Sequence, residues 1–224
     1  MVRNQDPCRC VSNVERFARV IPALASLLLS ACVSVGIGSD APAQAHYQLN
    51  DAVPAAPRRA QPVVAALLIQ TVPADATADT ASIAYSQRPS EFAFYQFSQW
   101  TERPVRRVPR LLQQRLEARG VAGAVGIVGD PLRADWLLTV AVDALHHDVS
   151  APPGQARVAL TAELFDRRNR TRIARRQFDV TVPTASATAP AAAAAMSLAL
   201  TQAFDRLVPW FEAELLQAAT AVPK

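Results

Sequence analysis

Three segments in the second half of the chain alternate apolar and polar residues with a period of two. Trp136, Leu138, Val140 and Val142 share one face of the first, Val158, Leu160, Ala162 and Leu164 one face of the second, and Phe178, Val180 and Val182 one face of the third. Thr139, Asp143, Thr161, Glu163, Arg175, Gln177 and Asp179 fall on the opposite faces. One-sided alternation of this kind predicts antiparallel strands with one buried face and one wet face. Residues 166–171, rich in Arg and containing Asn169, predict the hairpin that joins the last two strands. Earlier in the chain, residues 47–49 predict a short strand, residues 63–72 a longer and largely buried one, and residues 83–85 and 92–97 two more.

Two stretches follow helical spacing instead. Val105, Val108, Leu111, Leu112 and Leu116 recur at intervals of three and four, with Arg106, Arg107, Arg110, Gln113, Gln114 and Glu117 on the other side. Pro104 suits a first helical position and Gly120 a C-terminal cap. Pro109 has no N–H and crowds the carbonyl of Val105, so this helix is expected either to kink or to start there. After a linker of Ala, Ser, Thr and Pro, the residues Met196, Leu200, Phe204, Leu207, Phe211 and Leu215 mark a long C-terminal helix, bent at Pro209. One half-apolar sheet and two amphipathic helices predict an α+β fold, a two-layer sandwich with a mainly antiparallel sheet and both helices packed on one face. Gly120, Gly123, Gly126 and Gly129 recur every third residue between helix and strand. That order is the reverse of what phosphate cradling at a helix N-terminus needs, and a structural loop is expected there.

The start of the chain has a different character. Arg16 and Arg19 precede an apolar run over residues 20–29, the charged and hydrophobic parts of a secretory signal, too short to span a bilayer. The run ends Leu29-Ser30-Ala31-Cys32, which resembles the lipobox at which bacterial lipoproteins are acylated on Cys and cut before it. Residues 1–31 are therefore expected to be a lipoprotein signal peptide, residues 32–46 a flexible tether rich in Gly, Ser, Ala, Pro and Gln, and residues 47–224 one folded domain. Cys32 is the expected lipidation site. Val33 stands where an acidic residue, by resemblance to the known sorting pattern, would retain the protein on the inner membrane, so the expected location is the outer membrane, facing the periplasm.

Charge and cysteine content narrow the functions. The 23 basic and 19 acidic residues give a formal charge of +4, but four Arg and two acidic residues lie in the leader, leaving about +2 on the rest. A near-neutral domain lacks the electrostatic footprint of a nucleic-acid binder. Cys8 and Cys10 also lie in the leader, so after processing no thiol is left for a disulfide or a metal site. His146 and His147 are adjacent, and neighbours on a strand point to opposite faces, which argues against a shared ion. With three His and neither a Gly-x-Ser-x-Gly nor a His-Glu-x-x-His, hydrolytic chemistry has no foothold, and neither an enzyme nor a cofactor is expected. The hairpin arginines Arg167, Arg168, Arg170 and Arg172, with Arg175 and Arg176 beyond them, are the candidate contact for a partner or for lipid head groups, against the plainer reading of a solvated face. The aromatic run Phe92, Phe94, Tyr95, Phe97 and Trp100 is expected to belong to the core.

With these segments in place the order resembles the ABC-type transport auxiliary lipoproteins. Tyr47-x-Leu49, Ala84-Tyr85, residues 94–100, Pro104 with its helix, Ala134-Asp135-Trp136-x-Leu138, the Arg-flanked hairpin and the terminal helix carry the resemblance over nearly the whole chain from Tyr47. It implies a non-enzymatic accessory subunit, anchored in the outer membrane, that works with an ABC lipid transporter whose substrate-binding subunit carries an Mce domain. Self-association of the chain is compatible with that role. Pro109 and the featureless Ala-rich stretch before Met196 depart from the family pattern. The alternative is a structural lipoprotein of outer-membrane assembly, supporting insertion of a barrel or of lipopolysaccharide; its partner would be a barrel protein, not an Mce-domain subunit.

Overall fold

The computed structural model describes residues 42–52, 57–73 and 75–221. Eight strands and two long helices follow in the order β1 (Ala45–Tyr47), β2 (Val64–Pro73), β3 (Ser82–Arg88), β4 (Glu91–Trp100), α1 (Pro104–Arg119), β5 (Ala122–Ile127), β6 (Trp136–Asp148), β7 (Gln155–Asp166), β8 (Thr171–Pro183) and α2 (Ala189–Ala221). A single 3₁₀ turn, Ala76–Ala78, joins β2 to β3, with the Asp75 carboxylate accepting from the Thr77 N–H as its cap. The architecture is the α+β sandwich that the patterning implies: one sheet, with both helices against one of its faces.

The sheet is organised around β6. One edge of β6 pairs antiparallel with β7 along its whole length, and β7 pairs antiparallel with β8. The other edge of β6 is shared end to end: residues 136–142 pair parallel with β2, and His147 and Asp148 pair parallel with β3. β2 in turn takes β5, and β3 takes β4 and then β1. The sheet is thus mixed, with its longest ladders antiparallel. A bulge between Val142 and Ala144 shifts the alternation, so that Leu145 and His147 continue the inward face that Val140 and Val142 begin.

The apolar stripe of α1, Val108, Leu111, Leu112 and Leu116, is buried against β2 and β5. That of α2, Met196, Leu200, Phe204, Leu207, Phe211 and Leu215, is buried against β7 and β8. Neither proline stops its helix. α1 runs through Pro109 and α2 through Pro209, each forgoing one i→i−4 hydrogen bond while burial of the stripe holds the turn. The Ala-rich stretch before Met196 is helix, not linker: α2 starts at Ala189, and Ala192, Ala193, Ala195 and Ala199 are buried, because Ala favours helix and its small side chain lets the backbone approach the sheet.

Two expectations are corrected at strand level. The short first strand is Ala45–Tyr47, not residues 47–49, and Leu49 is buried beyond its end. The Gly-repeat segment is not a loop: Gly120 caps α1 with φ 69°, and Gly123 and Gly126 lie inside β5. A Cβ on Gly123 would stand 2.8 Å from the carbonyl oxygen of Ala65 on β2, so the glycine is there for close approach of two backbones, which hydrophobic periodicity cannot register.

The segment after β1 is clamped between the helices. Arg115 on α1, its side chain 5% exposed, grips Asp51, 0% exposed, through both Nη2 and Nε, the latter at 2.8 Å, and also reaches Asp205 on α2. The Ala52 N–H donates to Thr201 Oγ1 at 3.0 Å, the Asn50 N–H to Ser197 Oγ at 3.3 Å, and Arg107 Nε to the Leu49 carbonyl at 3.0 Å.

Candidate functional site

The β7–β8 turn is built on Asp166. Its carboxylate is buried and accepts from the Arg168 N–H at 2.9 Å, from the Arg168 guanidinium through Nε and Nη2 at 3.1 Å each, and from Asn169 Nδ2 at 3.0 Å. A short acidic side chain two residues before the donor is the local signal for such a turn. The Arg168 side-chain hydrogen bond holds the Asp166 carboxyl below the ordinary carboxylate range, so both charges persist at any physiological pH. The Arg168 guanidinium also lies 5.6 Å from the ring centroid of Trp136. Arg167 is tied to the preceding loop, its N–H donating to the Asp135 carbonyl and its Nη1 to the Ala134 carbonyl, both at 2.8 Å.

The four hairpin arginines therefore differ in what they have left to offer. Arg168 is matched by Asp166, and Arg172, like Arg175, is matched by Glu163. Arg167 spends donors on backbone carbonyls. Arg170, held at φ 56°, has no carboxylate at ion-pair distance among the described residues, and neither has Arg133 across the groove. Arg133 was not singled out by the sequence, because it stands alone in a loop and only the fold brings it to the hairpin.

Between hairpin, loop and the outer face of β6 lies an open groove of about 730 Å³, lined by Arg133, Arg167, Arg168 and Arg170 against Asp135 and Asp166, with Leu137, Phe165, Thr139 and Gln70 as floor. Four arginines against two carboxylates leave it net positive. A larger groove of about 840 Å³ between α1 and the ends of β2 and β5 is charge-balanced, with Arg106 and Arg110 against Glu117 and Asp130. Net positive charge suits an anionic partner surface or head group; balance does not select either.

The adjacent histidines part company. His147 is fully buried, hydrogen-bonded through Nδ1 to the Tyr95 hydroxyl at 2.8 Å and through Nε2 to Thr184 Oγ1 at 3.0 Å. Thr184 donates its own proton to the Pro153 carbonyl at 2.9 Å, which fixes His147 Nε2 as a donor and Nδ1 as an acceptor from Tyr95. His146 meets the edge of Phe92 at 5.1 Å between centroids. Burial pushes both imidazoles down from 6.5. Among the described residues no group of three His, Cys, Asp or Glu is placed to hold a metal. Cys32 lies outside the described residues.

The aromatic run is divided, contrary to the expectation of core. Trp100 is buried and Tyr95 packs on the core, but Phe92, Phe94 and Phe97 are 42%, 46% and 49% exposed. Among the described residues β4 is a sheet-edge strand over residues 91–97, since β1 pairs only with Ser98, Gln99 and Trp100, and an edge strand has a flanking strand on one side only to cover its side chains.

The described residues form a small mixed sheet covered by two helices, with a net-positive groove at one end, and none of their helices is long and apolar enough to cross a membrane. Residues 47–208 match the ABC-type transport auxiliary lipoprotein components, and the chain belongs to that family. Membership carries a lipoprotein character and an auxiliary place in ABC-type transport. A Xanthomonas campestris protein of known crystal structure shares 26% identity and a TM-score of 0.71, covering 79% of this chain and 99% of its own. A second crystal structure, of an uncharacterized protein, matches with 13% identity and a TM-score of 0.59 over 75% of this chain and 99% of its own. A putative lipoprotein from Caulobacter crescentus matches more loosely, with 16% identity and a TM-score of 0.38 over 70% of this chain and 93% of its own. No curated protein matches the sequence.

Proposed function

We propose that the chain is a non-enzymatic auxiliary subunit of an Mce-type ABC lipid transport system, acylated at Cys32, held in the outer membrane and facing the periplasm. The observation that carries the contact is the groove in which Arg133 and Arg170 stand without carboxylate partners among the described residues while the turn beneath them is fixed by Asp166. A rigid turn presenting unmatched cations is suited to meet an anionic surface on the Mce-domain subunit, because no internal ion pair has to break first. The non-enzymatic part of the reading is supported by the family description, a transport auxiliary component, and His147, engaged on both nitrogens, serves the packing of the fold.

The test is crosslinked pull-down of the tagged lipoprotein from its own envelope. The double variant Arg133→Glu with Arg170→Glu should lower recovery of the Mce-domain subunit about tenfold, with an unchanged melting temperature. Arg168→Glu is a poorer probe, since it would break the Asp166 turn as well. Recovery of a barrel protein in place of any Mce-domain subunit would overturn the transport reading in favour of outer-membrane assembly. Intact mass should show acylation at Cys32, and Cys32→Ser should leave an unprocessed precursor.

A further inference from the structure

The exposed phenylalanines of β4 lie where the chain enters the domain. β1 pairs parallel with β4 in the register Ala45 with Ser98 and Tyr47 with Trp100. In a parallel pair, the residues before Ala45 run back alongside the residues before Ser98. Ala43 and Gln44, both exposed, therefore leave β1 on the side of Phe97. Only twelve residues, 33–44, separate Cys32 from β1, and a random coil of that length spans about 20 Å.

We propose that Phe92, Phe94 and Phe97 dip into the interfacial layer of the bilayer that holds the acyl chains of Cys32, so that the domain rides on its membrane in one orientation instead of swinging freely. The inference rests on the acylation of Cys32. Three Phe within six residues, each nearly half exposed, are an unusual concentration of apolar surface on an otherwise polar edge. Aromatic and aliphatic side chains are those that bury at the head-group boundary. The depth is limited by the strand itself, whose outer backbone groups over residues 91–97 have no strand partner among the described residues and must stay hydrated.

The orientation has a functional direction. Phe92 touches His146, while the arginine turn begins at Asp166, opposite Trp136. Ten residues of β6 separate Trp136 from His146, about 33 Å of extended strand. With the Phe edge on the membrane, the net-positive groove stands at the far end of the molecule, toward a partner arriving across the periplasm.

The experiment uses the full, acylated protein in vesicles of phosphatidylethanolamine and phosphatidylglycerol, with acylation first verified by intact mass. Failure of that mass measurement would remove the underlying reading; only acylated protein enters the second step. An environment-sensitive fluorophore on Phe94→Cys should shift to the blue, and lipids carrying a shallow spin label should quench it by about half. The same fluorophore on Arg170→Cys should be unquenched. Acylated protein whose label at position 94 keeps its emission in water would overturn the proposal. So would a blue shift without quenching by spin-labelled lipid, accompanied by crosslinks through position 94 between two copies, since a second copy would then cover the row.

Discussion

Replacing Arg115 by Met should unfold the clamp on the N-terminal segment without touching the sheet. The change keeps much of the side-chain volume and removes the cation. Asp51, with 0% of its side chain exposed, then loses both guanidinium bonds and is left charged in the interior. Breaking a buried pair from one side costs about 3–5 kcal/mol, most of it from the stranded charge. The partner Asp205 is 45% exposed and regains water, so its share is at most about 1 kcal/mol. The guanidinium 5.6 Å from the Phe204 ring adds about 0.5–1 kcal/mol. Burial of the charge therefore dominates. With a urea dependence of about 2 kcal/mol per M, the three losses together should lower the midpoint by about 1.8–3.5 M in a chain beginning at Ala43, followed by far-ultraviolet circular dichroism. Pairing Arg115→Met with Asp51→Leu removes the stranded carboxylate, and the double variant should be more stable than Arg115→Met alone. A loss under 1 kcal/mol for the single change, or simple addition of the two single losses in the double, would refute the reasoning.

Three further outcomes are expected. His146 and His147 have their protonation depressed by burial, so the unfolded chain binds protons that the folded one refuses; stability is fully present above pH 6.5 and falls as pH drops below it, a slope that His147→Gln should flatten and that a urea midpoint rising as pH falls would contradict. Gly154→Ala should destabilise by more than about 1 kcal/mol, because φ is 99° and the added Cβ would press on the His147 ring and the Asp148 carbonyl; an unchanged melting temperature would show that the turn yields freely. Leu207→Ala should cost about 2–5 kcal/mol and Gln202→Ala little, and equal small effects in thermal melts would mean that α2 is not docked as described.

The parts of the fold that repeat along the chain were legible without coordinates. The alternation from Trp136 to Val182 and the stripe from Met196 to Leu215 name both the elements and their buried faces, because each is a local record of which side meets the core. β5 was hidden for the opposite reason: Gly123 and Gly126 are placed by the nearness of β2 and of Leu132, and a residue chosen for having no side chain leaves no pattern. At the candidate site, the Arg hairpin could be read but its inequality could not. Which arginines remain unmatched depends on Asp166 folding under Arg168 and on Glu163 lying across the ladder from Arg175, and Arg133 joins them only through tertiary proximity. The exposure of Phe92, Phe94 and Phe97 was likewise a property of where β4 sits in the sheet, not of its composition.

The clamp also sets an order of events. Residues 50 and 52 hydrogen-bond to residues 197 and 201, and Asp51 is locked by a guanidinium that α2 also holds. The segment from Leu49 to Ala52 therefore waits for α2 before it can be fixed. Closing contacts over about 150 residues is slow relative to local strand and helix formation. Only completion of the C-terminal helix seals the finished domain onto the segment from Leu49 to Ala52.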